Sequence, residues 1–198
     1  MICIFNVILT GNKVSKIFIF HGSFGHPQEN WFPWLKSELE KMGHQVIIPQ
    51  FPTPEGQTLN KWMEVFDKYI SQVDTDTIFV GHSTGVPFIL SVLEQLKVNI
   101  KRVYLVSGFV NLINHETFDP LIETFVEKEF DWAKINKNCA KFVIYHSDND
   151  PYVPINSAHE FADKLGVNVN IVSNAGHINE ESGYIKFDLL LENIKSVL

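Results

Sequence analysis

The chain predicts an α/β fold: a mostly parallel sheet of about six strands with helices on both faces, a three-layer sandwich. Three observations carry that reading. Short apolar runs alternate along the sequence with segments of helical period. One of these runs, Thr77-Ile78-Phe79-Val80, leads through Gly81-His82-Ser83-Thr84-Gly85 straight into an apolar helical segment. The chain has 198 residues, 45% hydrophobic and 20% charged, which is enough for one α/β core and unlike the composition of a disordered chain.

Taken in order, Met1–Leu9 is apolar but lacks the basic start and small-residue cleavage site of a signal peptide. It is also too short to cross a bilayer. Residues 1–14 are read as an N-terminal extension of unassigned role and 15–198 as one domain. Lys16–His21 is the first core strand. Pro33–Met42 has helical period, with Gly43 placed to stop it. Val46–Pro49 is the second strand. Thr58–Val73 is a helix whose Leu59, Trp62, Met63, Phe66, Tyr69 and Ile70 recur at helical spacing, so the stripe is core. Thr77–Gly81 is the third strand and Val86–Leu93 the helix after it. Pro87 fits there, because first-turn amides have no intrahelical partner to lose. Val103–Ser107, Phe142–His146 and Val169–Ser173 complete the strands. Asn156–Leu165, ended by Gly166, and Tyr184–Leu198 complete the helices.

Gly108–Asn138 is longer than an ordinary connection and carries Phe109, Phe118, Phe125, Phe130 and Trp132 among acidic residues. It reads either as a cap forming an apolar pocket or as a crossover burying its aromatics. We assign most of them to the crossover and keep Phe109 and Val110, nearest the strand end, as pocket candidates. Trp31 and Trp34 carry the same ambiguity: one is read as an anchor for the first helix and the other as pocket wall, with no means of choosing between them. His21, at the end of the first strand, is a further pocket candidate.

The formal charge of −7 and a single arginine, Arg102, argue against nucleic-acid binding. Cys3 and Cys139 stand far apart without metal or redox spacing, so they read as free thiols of a cytoplasmic protein. No membrane or protein partner is predicted.

Strand, Gly-x-Ser-x-Gly, helix is the context of a nucleophile elbow. The glycines allow a sharp turn that raises the Ser83 hydroxyl at the strand end, under the first amides of the next helix. A serine hydroxyl is a poor nucleophile at neutral pH and needs a base. In α/β-hydrolase order, an acid and then a histidine follow the serine. His21, His26 and His44 precede it; His82 sits inside the elbow; His115 lacks strand support; His146 lies upstream of the acid; His159 is inside a helix. His177, just past the last strand, is left as the base. Asp148 and Asp150 both lie in the loop after the Phe142–His146 strand, and spacing alone leaves either as the acid that steadies the imidazole. The oxyanion needs two amide donors: Thr84, after the nucleophile, and Ser23 or Phe24 in the loop after the first strand.

These segments carry a resemblance. Phe18-Ile19-Phe20-His21-Gly22, Trp31-Phe32-Pro33-Trp34-Leu35, the elbow, Ser147-Asp148-Asn149-Asp150-Pro151-Tyr152-Val153-Pro154 and Gly176-His177 are similar to those of a family of small serine hydrolases. That family includes retinoblastoma-binding protein nine and the bacterial YdeN-like proteins. The resemblance spans nearly everything from Lys16 onward. It implies a compact α/β-hydrolase fold, Asp150 rather than Asp148 as the acid, no metal or cofactor, and action on a small-molecule acyl substrate, most simply a carboxylic ester. The retinoblastoma-binding Leu-x-Cys-x-Glu segment surrounds neither cysteine and is not carried over. The competing reading is a protein-binding module on a hydrolase scaffold with little or no turnover.

Overall fold

The structure, a computed structural model, describes residues 14–198; all of the expected N-terminal extension except Val14 lies outside the described residues. Six strands form one sheet: β1 (Lys16–Phe20), β2 (Gln45–Ile47), β3 (Ile78–His82), β4 (Arg102–Val106), β5 (Phe142–Ser147) and β6 (Val169–Val172). Their spatial order is β2-β1-β3-β4-β5-β6, and every pairing is parallel. The helices are α1 (Phe32–Lys41), α2 (Leu59–Phe66), α3 (Gly85–Leu93), α4 (Asp119–Val126), α5 (Trp132–Lys137), α6 (Ile155–Leu165) and α7 (Asp188–Lys195). None among the described residues is long and apolar enough to cross a membrane.

The apolar runs are continuous rather than alternating because both faces of the sheet are covered. Phe18, Phe20, Phe79, Val103, Leu105, Phe142 and Ile144 point to one face, where α2 to α6 pack. Ile17, Ile19, Ile78, Val80, Tyr104, Val106, Val143 and Tyr145 point to the other, against α1 and α7. The first face is unusually aromatic. Phe20 has ring centroids 5.2–6.1 Å from Phe79, Phe66, Phe88 and Phe51, mostly edge to face.

Two predicted helices are shorter than expected. Thr58–Val73 breaks after Phe66, where the ladder tightens to i→i−3 bonds (Tyr69 N–H to the Phe66 carbonyl, 2.7 Å) and a 3₁₀ turn, Ile70–Gln72, follows. Ile70 therefore swings to the surface instead of completing the core stripe. The last helix starts at Asp188, not Tyr184. Gly183 adopts a left-handed φ of +86°, Tyr184 N–H returns to the Asn179 carbonyl, and an extended Phe187 is buried against Trp31 and Tyr145. Gly43 (φ +89°) and Gly166 (φ +66°) end α1 and α6 as expected.

The strand order decides where chemistry can occur. The chain steps outward from β1 to β2, then returns to β3 on the opposite side of β1. The crevice at the carboxyl ends of β1 and β3 is thus the switch point where open α/β sheets bind ligands. Shortening Phe20 to alanine should remove the hub of the aromatic layer beneath that crevice. Phe20→Ala is expected to lower unfolding stability by about 3–5 kcal/mol in denaturant titration, and a loss under 1 kcal/mol would show that the layer relaxes to fill the gap.

Candidate active site

Ser83 occupies the turn between β3 and α3 with φ +54°, a conformation rare for a non-glycine residue. Its amide donates to the Val106 carbonyl at 3.0 Å, and its carbonyl accepts from Val86 N–H at 2.9 Å. The glycines around it are required by space. A Cβ on Gly81 would stand 2.6 Å from Ile89 Cδ1, and one on Gly85 would collide with the Phe20 carbonyl. A Cβ on Gly22 would lie 2.8 Å from Ser83 Cβ, so only glycine lets the loop after β1 lie against Ser83.

His177 follows β6, and its Nδ1–H donates to Asp150 Oδ2 at 2.8 Å. Asp150 Oδ1 accepts the amides of Tyr152 and Val153, both at 3.0 Å. Burial alone would raise the Asp150 carboxyl; the His177 bond and charge and the two amides outweigh it and hold it below the usual aspartate range. With Nδ1 donating, Nε2 is the acceptor of the ring. His177 and Ser83 line the same cleft, and no hydrogen bond joins them among the described residues, an ordinary state for an unliganded site.

The structure separates the two candidate acids. Ser147, Asp148, Asn149 and Asp150 each bond one of the successive residues that lead up to His177. Ser147 Oγ takes Ala175 N–H (2.9 Å), Asp148 Oδ1 takes Asn174 N–H (2.7 Å), Asn149 Oδ1 takes Gly176 N–H (2.8 Å), and Asp150 alone reaches the imidazole. From below, the His177 carbonyl accepts from His82 Nε2–H at 2.9 Å and from Ser107 Oγ–H at 3.1 Å. Burial drives the His82 pKa down to about 3, and it serves as a neutral linker. His146, also fully buried, donates Nε2–H to the Val153 carbonyl and stands 3.8 Å from Asp150 Oδ2.

Thr84 N–H and Ser23 N–H have no hydrogen-bond partner among the described residues. Phe24 is corrected as a donor candidate: its amide is already given to Thr53 Oγ1 at 2.6 Å, and its ring instead lines the cleft. The cleft holds about 200 Å³ of space. One wall is apolar, with Phe109, Ile113, Phe118, Ile122 and Val153, so the long segment after β4 supplies both core (Phe125) and cleft (Phe109, Phe118). Glu29, Asn30, Asn179 and Glu181 also line the cleft, and no lysine or arginine does among the described residues.

Four pocket candidates fall outside this cleft. Val110 is buried in the aromatic-face core and borders a separate surface hollow. Trp31 is fully buried and donates Nε1–H to the Ile178 carbonyl at 3.0 Å, while Trp34 packs on the α1/α7 side; both tryptophans anchor. His21 is buried under the β1 loop, its Nδ1–H on the Gly22 carbonyl (2.8 Å) and its Nε2 accepting Phe51 N–H (3.0 Å). Burial lowers its pKa to about 4. Gln57, Glu29 and Ser107 belong to the site yet sit in no motif; only the folded chain brings them there.

The signature of the serine hydrolase family matches residues 17–196. The YdeN protein of Bacillus subtilis is 28% identical over 183 residues, covering 91% of this chain and 95% of that protein. Its crystal structure superposes with a TM-score of 0.87, covering 93% and 98% of the two chains at 29% identity. The rat serine hydrolase RBBP9 is 25% identical over 169 residues, covering 85% of this chain and 86% of its own. At the level of fold alone, Est1E of Butyrivibrio proteoclasticus superposes with a TM-score of 0.68 at 18% identity over 92% and 90% of the chains. The sheet and its helices are thus those of an α/β-hydrolase.

Glu29 gives a pH signature. Burial, with the charge of Glu180 adding and a hydrogen bond from the His26 backbone opposing, raises its carboxyl from 4.5 to about 7. Below pH 4.5 both folded and unfolded states hold the proton and the group costs nothing. As pH climbs towards 7 the unfolded chain gains by ionising first, and above 7 the full cost to folding is present. Glu29→Gln is therefore expected to raise the melting temperature more at pH 8 than at pH 4.5; an equal change at both values would show that the carboxyl titrates normally.

Proposed function

The chain belongs to the serine hydrolase family, and we propose that it is a carboxylesterase for small or medium acyl esters working through an acyl-enzyme on Ser83. The observation that carries this reading is the 2.8 Å bond from His177 Nδ1 to a buried Asp150, in a cleft that Ser83 shares. His177 Nε2 takes the hydroxyl proton as Ser83 Oγ attacks the ester carbonyl. The carbonyl π electrons move to oxygen, where the amides of Ser23 and Thr84 receive the negative charge. The tetrahedral species collapses, and His177 passes its proton to the departing alcohol. Water then enters, gives a proton to Nε2 and attacks the acyl-enzyme carbonyl; as this second tetrahedral species collapses, Nε2 returns the proton to Ser83 Oγ, releasing the acid and restoring both Ser83 and the neutral imidazole. Asp150 stays ionised throughout and stabilises the imidazolium.

The cleft volume of about 200 Å³ and its aromatic wall suit a short acyl or alkyl group. With Glu181 beside it, the Glu29 charge added only above about pH 7, and no lining cation among the described residues, uncharged esters are favoured over those bearing a carboxylate or phosphate.

A fluorophosphonate probe and a p-nitrophenyl ester series test this reading. Labelling should add mass at Ser83 and vanish in Ser83→Ala and His177→Ala, both folded by circular dichroism. Asp150→Asn should lose turnover by about 10⁴-fold, the size expected when the imidazole loses the partner that fixes its tautomer. Asp148→Asn should stay within about tenfold of wild type, since Asp148 bonds the Asn174 amide and the Ser173 side chain and not the imidazole. A folded wild type that neither labels nor turns over any ester would sink the enzyme reading in favour of a binding module.

A further inference from the structure

Gln57 lies between β2 and α2, outside every motif, and is buried. Its Oε1 accepts from Thr53 Oγ1 at 2.5 Å; its Nε2 donates to Ser23 Oγ at 2.6 Å and to the Leu121 carbonyl at 3.0 Å. The carbonyl can only accept, so it fixes which end of the amide is nitrogen. Two of the neighbouring protons then have a direction. Thr53 gives its hydroxyl proton to Gln57 and accepts the Phe24 amide at 2.6 Å. Ser23 accepts from Gln57 and shares a 2.8 Å hydroxyl–hydroxyl bond with Thr84 Oγ1, in which either hydroxyl can donate. The relay joins Thr53, Gln57, Ser23 and Thr84 in one chain of bonds.

Ser23 and Thr84 come from different elements, the loop after β1 and the elbow after β3, yet both amides must meet one oxygen atom. We propose that Gln57 is a positioning residue that sets the spacing of these two amides by holding the Ser23 side chain against that of Thr84. The inference rests on the acyl-enzyme reading above and goes beyond it, because no catalytic step touches Gln57. The geometry demanded is strict: loss of one oxyanion donor typically reduces kcat by roughly 100- to 1,000-fold, and a displacement near 1 Å is enough to cost about 100-fold.

The test compares Gln57→Met, Gln57→Glu, Ser23→Ala and the Ser23→Ala/Gln57→Met pair on a p-nitrophenyl ester that wild type hydrolyses. Gln57→Met removes all three bonds at similar volume. Gln57→Glu keeps the shape but replaces the Nε2 donor to Ser23 Oγ and the Leu121 carbonyl with an acceptor, and serves where the Met variant does not fold. Each is expected to lower kcat about tenfold or more with KM within about twofold. Inhibition by a trifluoromethyl ketone, whose adduct places an oxyanion between the two amides, should weaken by the same factor. In the Ser23→Ala background, Gln57→Met should add nothing, because its effect passes through Ser23. Losses that multiply in the double variant, a rise in KM at constant kcat, or unchanged kinetics would overturn the relay. A wild type inert towards every ester would overturn the esterase reading and the relay together; an active wild type with indifferent Gln57 variants would overturn the relay alone.

Discussion

The hydrogen bond between His177 and Asp150 is the interaction on which this site depends, and it must be made between two loops. One leaves β5 and the other leaves β6, adjacent strands that are parallel and so end on the same side. A single 2.8 Å contact between flexible loops would be a poor way to hold an imidazole. The chain solves this by repetition: Ser147, Asp148 and Asn149 bond the three residues before His177 one for one, so the Asp150–His177 pair is the last rung of a ladder made by side chains. Trp31 holds the Ile178 carbonyl one residue beyond it. His177 is therefore fixed on both sides in sequence as well as through its ring.

Beneath that ladder lie histidines used for a purpose other than titration. His21, His82 and His146 are buried, their pKa values are lowered by burial, and each donates a ring N–H to a backbone carbonyl: Gly22, His177 and Val153 respectively. A neutral imidazole offers one donor at a fixed distance on a flat, apolar body, which suits the space between a sheet and its loops. The three carbonyls belong to the loops after β1, β6 and β5. His82, the neighbour of Ser83, thus supports His177, and the turn after β3 and the loop after β6 are joined below the cleft.

Much of this was legible in the sequence, and the division follows from how local each signal is. Apolar runs and helical stripes are local, and they located every strand. The elbow is local too, since two glycines and a serine between a strand and a helix define it. His177 became the candidate base from chain order, and the structure brings it to Asp150 and to the cleft that Ser83 lines. The choice between Asp148 and Asp150 was not local, because both carboxylates act on the same loop and only the register of the ladder separates them. Helix ends were misjudged at Ile70 and Tyr184 because the chain must turn there to reach β3 and to bury Phe187, requirements set by distant residues. Trp31 and Trp34 looked alike in sequence; that Trp31 is fully buried while Trp34, within α1, is only partly so depends on packing that no spacing encodes. Gln57 was invisible for the same reason, as its partners lie up to 64 residues away.

The backbone shows what these contacts accomplish together. Phe24, Ser83, Ser107 and Ile178 all have left-handed φ values between +50° and +59°, and all four border the site. Asparagine tolerates that region, as at Asn30, Asn114 and Asn174, but phenylalanine and above all the β-branched isoleucine do not adopt it without support. Each such residue costs on the order of 1–3 kcal/mol. Each also carries a hydrogen bond whose partner is held elsewhere in the fold: Phe24 N–H to Thr53, Ser83 N–H to Val106, Ser107 Oγ–H to His177, and the Ile178 carbonyl to Trp31. The sheet and the aromatic layer stabilise the fold enough to hold these strained turns, and the turns in exchange place a hydroxyl, an imidazole and two free amides at one end of the sheet. A relaxed version of the same loops would point those groups apart, so the strain follows from bringing distant segments to one end of the sheet.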